Sequence, residues 1–211
     1  MGPAFGKESA IMAYIGFLLL TYLAAAFPFG LLVSLVCCGI DPRLAGSRNT
    51  GATNVARLCG TRLGVLTLLL DLAKGLVPVL IARAMSDSVL YLSLILVTAV
   101  AGHMFSVFLY GRGGKGVATA IGVFLGAAPA AALLSVAACV AVIRVTGYVS
   151  AGSLVLAVAL PVLCGLLGHP ALVPAGVVVA ALIIYKHREN IARLRAGQEK
   201  SWRKKSAPAA D

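Results

Sequence analysis

Long apolar runs separated by short polar segments organise this chain of 211 residues. The runs fall near residues 10–36, 63–82, 89–110, 117–128, 130–143, 149–168 and 171–185. About 20 apolar residues in a helix cross the ~30 Å of hydrocarbon in a bilayer, so the pattern predicts membrane helices. The two runs flanking Pro129 are short for a crossing, and one long kinked helix competes with two separate ones. The first run, through residue 38, is too long for the core of a signal peptide and no A-x-A-like site with a soluble domain follows it. It is expected to remain as a membrane helix. No internal repeat is evident, which removes support for a transporter built from inverted halves.

Composition agrees: 60% of residues are hydrophobic and 12% are charged. The formal net charge of +11 sits in short segments between apolar runs, not on a basic soluble face, which argues against a nucleic-acid partner. Counting seven spans puts Arg43, Arg48, Arg57, Arg62, Arg112, Lys115, Arg144 and the tail cations from Lys186 to Lys205 on one side, leaving Lys7 and Arg83 opposite. By the positive-inside tendency that side is cytoplasmic. The expected fold is therefore an all-α transmembrane bundle of seven spans, N-terminus outside and C-terminus cytoplasmic. It forms a single domain over residues 1–205, with a disordered tail at 206–211. Residues 186–205 read as a helical extension lying along anionic headgroups, with Ile191 and Leu194 as its narrow apolar stripe.

Four polar clusters carry more than anchoring requires. Residues 46–57, GSRNTGATNVAR, combine turn-forming Ser47, Asn49, Thr53 and Asn54 with Arg48 and Arg57, whose planar forks of donors suit phosphate. Residues 111–119, GRGGKGVAT, hold four glycines and two cations. Gly113, Gly114 and Gly116 permit close backbone approach, Arg112 and Lys115 add charge, and a helix starting near Val117 would aim its first amides at an anion. The segment is not a Walker A loop, because Gly116 follows the lysine where Ser or Thr is required. Residues 148–153, YVSAGS, place Ser150 and Ser153 one helical turn apart. Residues 186–191, KHRENI, place His187 and Asn190 on one helical face.

Asp71 and Lys74 are also one turn apart, inside the second run. They are either a mutual ion pair that fixes helix packing or a link from that span to the site. His103 and His169 read as structural. The five cysteines lack CxxC spacing and read as packing residues, with neither a metal nor a disulfide assigned. No histidine is followed by Asp in HX4D spacing, and no GxSxG elbow occurs. Catalysis is thus expected to rest on positioning and charge, with no cofactor.

In order along the chain, GSRNTGATN at Gly46, GHMFSVFLYGRGGKGVAT at Gly102, YVSAGS at Tyr148 and HRENIARLRAGQE at His187 are similar to the cytoplasmic motifs of a known family. That family is the bacterial acyl-phosphate:glycerol-3-phosphate acyltransferases of phospholipid synthesis, and the resemblance spans nearly the whole chain. Ser106 departs from it where a proline is common, and Lys186 where an arginine is common. The resemblance implies seven membrane helices. It also implies acyl transfer from acyl phosphate to the sn-1 hydroxyl of glycerol 3-phosphate, in the bacterial inner membrane with the active site facing the cytoplasm. The products are lysophosphatidic acid and inorganic phosphate.

By that resemblance, the donor phosphate is expected among Ser47, Arg57, the glycine loop with Lys115, and Ser150. Asn49, Thr53, Asn54, Arg112, His187 and Asn190 are expected to hold glycerol 3-phosphate, and the acyl chain to stay among membrane lipids. A mixed anhydride has a good leaving group, so no covalent intermediate is required. A carrier of organic phosphates would use similar residues, but near the midplane of paired helices and not at span ends on one side. A non-catalytic partner binding anionic lipids through the tail leaves the first two clusters without a role.

Overall fold

The computed structural model describes residues 7–203. Among these the regular structure is helical throughout, and the chain divides into two compact units, the first ending at Pro129 and the second beginning at Ala130.

The first unit holds α1 (Lys7–Ala26), α2 (Phe29–Cys38), α3 (Ala52–Cys59), α4 (Thr61–Met85), α5 (Val89–Met104) and α6 (Val117–Ala127). Helix α4 is the centre, packed against α2, α3, α5 and α6. Lipid tails are as apolar as Leu, so membrane helices gain by close backbone approach at small residues. Gly122 and Gly126 of α6 provide it: a Cβ at Gly122 would strike the Leu72 carbonyl, and one at Gly126 the Val79 side chain, both on α4. Large apolar side chains such as Leu19, Val36, Leu69 and Leu90 face outward, as lipid-facing surfaces require.

The first apolar run is broken in two. Pro28, which has no N–H, separates α1 from α2. The carbonyls at the break find partners in other helices: Ser106 Oγ donates to Ala26 O at 2.5 Å and Lys74 Nζ to Phe27 O at 3.0 Å. Unsatisfied carbonyls at membrane depth are costly, so these bonds make the break tenable. Ser106, the departure from the family pattern, therefore has a structural role of its own.

The second unit contains α7 (Pro129–Thr146), α8 (Val149–Leu166), α9 (Val173–Lys186) and α10 (Arg188–Arg195). A Cβ at Gly152 of α8 would meet the Cys139 carbonyl and Ile143 of α7, and Gly176 of α9 lies against Pro161 of α8.

Five helical stretches are long and apolar enough to cross a membrane: Glu8–Cys38, Thr61–Met85, Val89–Leu109, Pro129–Thr146 and Val149–Leu166. Pro170–Lys186 with Arg188–Arg195, bent by 61°, makes a sixth among the described residues when the pair is counted as one span. The expected span near 117–128 is an apolar helix of 11 residues, which at 1.5 Å per residue falls short of a full crossing. Around Pro129 the chain forms two helices, α6 ending and α7 beginning on either side of Ala128, which leaves helical geometry at φ −147°.

Two expectations need correction. Cys38 and Cys59 are disulfide-bonded, their Cα atoms 6.0 Å apart, because α3 brings the end of the first polar segment back to the end of α2. The helical extension through 205 stops at Arg195: Gly197 takes φ 65°, a left-handed conformation suited to glycine, and turns the chain. Residues 204–211, including the tail expected to be disordered, lie outside the described residues.

Candidate active site

The first polar segment is a folded loop whose hub is Asn54, in the first turns of α3. Its side chain is buried, with the two N–H groups of Nδ2 shared among Pro42 O at 2.9 Å, Ala45 O at 3.1 Å and Asn49 O at 2.9 Å. Its Oδ1 accepts from Ser47 N at 2.8 Å and Arg57 NH1 at 3.3 Å. An amide has few bonds to offer, and these are used within the loop, so Asn54 shapes it. Asn49 closes a further turn by accepting from Gly51 N at 2.9 Å. Gly46 at φ 64° and Arg48 at φ 54° both adopt left-handed backbone, which is unusual for arginine. Ser47, Thr53 and Arg57 are left exposed.

Arg43 is committed elsewhere. It forms a fork on Asp41, with NH2 2.7 Å from Oδ2, and these bonds hold the Asp41 carboxyl below its usual range. Arg48 and Arg57 are therefore the cations this loop presents.

The glycine segment follows a short 3₁₀ turn, Val107–Leu109. Tyr110 at φ 50° and Gly111 at φ 77° reverse the chain, and Gly111 N and Arg112 N are tied to Ser106 O and Leu109 O at 2.9 Å each. Gly113 and Gly114 are buried against the end of α5, where a Cβ on either would collide with His103. Their amides make no hydrogen bond among the described residues. Gly116 at φ 78° then starts α6, whose first-turn amides point back toward the loop. Lys115 is half-buried and Arg112 is exposed.

In the second unit Ser150, His187 and Asn190 are all buried, and Ser150 and Asn190 meet on a residue given no role from sequence. Glu199 Oε1 accepts from Ser150 Oγ at 2.7 Å and Asn190 Nδ2 at 2.6 Å, while Oε2 accepts from Arg193 Nε at 2.7 Å. Burial would raise this carboxyl's pKa, but the three donors outweigh it and the pKa lies below the ordinary glutamate range. Arg193, expected to face headgroups, is part of this knot. Ser153, by contrast, spends its hydroxyl on Val149 O at 2.9 Å, one turn back in its own helix. His187 Nδ1 lies 2.8 Å from Ile183 O, which assigns the neutral ring's proton to Nδ1 and its lone pair to Nε2.

The sequence-predicted residues thus fall into two internally ordered sets. Ser47, Asn49, Thr53, Asn54, Arg57, Arg112, Gly113, Gly114, Lys115 and Gly116 belong to the first unit, and Ser150, His187 and Asn190 to the second. Glu199 is the last residue of the motif that starts at His187, so that motif carried the signal, but a carboxylate in a mostly basic stretch was given no role. No cluster of three metal-ligating side chains occurs among the described residues.

Comparison with known proteins decides the family. A glycerol-3-phosphate acyltransferase family model matches residues 15–197. The chain belongs to the glycerol-3-phosphate acyltransferase family. Membership makes it an integral membrane acyltransferase of phospholipid biosynthesis and displaces the carrier reading. It is 74% identical to the glycerol-3-phosphate acyltransferase of Solidesulfovibrio magneticus over 94% of this chain and 100% of that one. Identity to the Nitratidesulfovibrio vulgaris enzyme of the same name is 51%, over 94% of this chain and 61% of that one. Among solved structures, the family's integral membrane glycerol 3-phosphate acyltransferase PlsY in its glycerol 3-phosphate form matches with a TM-score of 0.86. The identity is 37%, covering 90% of this chain and 96% of that one. The same enzyme's lysophosphatidic acid form matches with a TM-score of 0.84 and 36% identity, covering 90% and 95%.

Proposed function

We propose that this enzyme transfers a fatty acyl group from acyl phosphate directly to the sn-1 hydroxyl of glycerol 3-phosphate. The oxygen of that hydroxyl attacks the acyl carbon, the bond from the acyl carbon to the phosphate oxygen breaks, and phosphate leaves. The hydroxyl proton passes to a non-bridging oxygen of the donor phosphate, so lysophosphatidic acid and inorganic phosphate are the products. The observation carrying this reading is the glycine loop: two buried glycines whose amides bond to none of the described residues, a lysine, and a helix N-terminus in succession. Such a constellation stabilises charge that develops on a departing phosphate.

Ser47, Arg57, Lys115 and Ser150 are assigned to the donor phosphate together with Gly113, Gly114 and Gly116. Asn49, Thr53, Arg112, His187 and Asn190 are assigned to glycerol 3-phosphate, with Asn54 acting through the shape of its loop. Ser150 is held in place by its bond to a carboxylate that also carries Asn190 and Arg193. The deciding experiment supplies purified enzyme with labelled glycerol 3-phosphate and either acyl phosphate or acyl-CoA. Product from acyl phosphate alone supports the proposal, and product from acyl-CoA alone overturns it.

Seven spans forming one domain, the 11-residue α6 counted as a short one, in the bacterial inner membrane with the N-terminus outside and the active site facing the cytoplasm, complete the proposal. The one-sided distribution of loop cations supports it. Impermeant thiol labelling of single-cysteine variants at 48, 112 and 193 tests it, and reaction from the outer face would overturn it.

A further inference from the structure

Beneath the glycine loop lies a buried polar group that the mechanism above does not use. Asp71 and Lys74 on α4 and His103 near the end of α5 are 2%, 8% and 7% exposed. Lys74 Nζ is 2.9 Å from Asp71 Oδ1, and His103 Nδ1 is 3.6 Å from the same oxygen. Lys74 also reaches Phe27 O at 3.0 Å and sits 5.7 Å above the Phe29 ring. With Thr50, Ser106 and Gly114 these side chains line one small cavity.

The imidazole faces two ways. One edge is toward Asp71, and the other, carrying Nε2, is toward Gly114, where a Cβ would collide with the ring. Gly113 rests on the His103 carbonyl just above. On the far side of Lys115, Thr119 Oγ1 donates to Asp71 O at 3.0 Å, and Gly75 packs on the Thr119 carbonyl. The loop is therefore seated at both ends on the segments that carry Asp71, Lys74 and His103.

Stability alone is a poor reason to keep such a group. An ion pair at membrane depth is costly to desolvate, and well-packed apolar residues of similar size commonly serve a fold as well. We propose that His103, held by the Asp71–Lys74 pair, is a positioning residue. It sets the height of the Gly113 and Gly114 amides and so the affinity of the loop for the phosphate of the acyl donor. This rests on the reading of Gly113–Gly116 as a phosphate cradle.

A double-mutant cycle on His103→Ala and Gly114→Ala, measured by steady-state kinetics with palmitoyl phosphate and glycerol 3-phosphate, tests the contact. Each single variant is expected to raise KM for palmitoyl phosphate roughly tenfold or more, with kcat changed less and thermal unfolding in detergent near wild type. In the double variant the added Cβ occupies space the ring has left, so Gly114→Ala should then cost less than about threefold. Penalties that multiply in a folded protein, or an unchanged KM for His103→Ala, would overturn the proposal. If His103→Ala does not fold, His103→Gln takes its place in the same cycle with the same outcomes. Lys115→Ala separates the two levels of argument. Loss of turnover there with multiplying penalties in the cycle rejects the positioning role alone, whereas normal turnover in Lys115→Ala rejects the cradle itself.

Discussion

Replacing Glu199 with Gln removes one negative charge and leaves the side chain's size nearly unchanged. In the native chain three donors converge on it at 2.6–2.7 Å, two on Oε1 and the Arg193 guanidinium on Oε2. A glutamine offers one oxygen and one N–H₂ group, so either Arg193 or the Ser150–Asn190 pair must face a donor instead of an acceptor. Hydrogen bonds to charged groups contribute about 1.5–3 kcal/mol each, and the side chain is only 8% exposed, so solvent screening is weak. At ~1.4 kcal/mol per decade, losing one such bond from the reacting arrangement lowers kcat/KM by roughly 10- to 100-fold. The assay is release of lysophosphatidic acid by purified enzyme in nanodiscs, with thermal unfolding followed in parallel. A folded Glu199→Gln variant with wild-type kcat/KM would refute the reasoning, because Ser150 and Asn190 would then need no anchor.

The same carboxyl sets a pH limit: its pKa is depressed on folding, so its contribution is complete above the ordinary glutamate value and is lost as pH falls through the lowered one. Thermal stability of the wild type should fall over that acid range more steeply than that of Glu199→Gln, and parallel profiles would contradict this. Lys115→Ala should abolish turnover while membrane insertion and unfolding temperature are retained. Ser47→Ala and Ser150→Ala should slow the reaction, and rapid quench with labelled acyl phosphate should trap no acylated serine in the wild type; a labelled peptide would end the direct-transfer mechanism. Asn54→Ala leaves the carbonyls of Pro42, Ala45 and Asn49 without their donor, at about 1–3 kcal/mol per buried unpaired group. Limited proteolysis within residues 41–57 should accelerate, and an unchanged rate would show that another contact holds the loop.

The membrane class, most spans and the polar clusters were legible in the sequence, because hydropathy and glycine-rich punctuation are local signals. What sequence concealed depends on residues meeting across the fold. Cys38 and Cys59 look like small packing residues until α3 turns back toward α2. His103 reads as structural, and only the packing of α4 and α5 shows Asp71 beside it. Arg193 belongs to a basic stretch by composition, yet the turn at Gly197 delivers Glu199 to it. Even Ser106, which breaks the family pattern, makes sense only beside the Ala26 carbonyl left open where α1 ends.

Glu199 lies beyond α10, the last α-helix among the described residues, yet it fastens a serine at the start of α8. During biosynthesis Ser150 can reach the lipid phase well before the glutamate that orients it has left the ribosome. A chain cut after α10 would keep the helices described above and lose the one acceptor that Ser150 and Asn190 share.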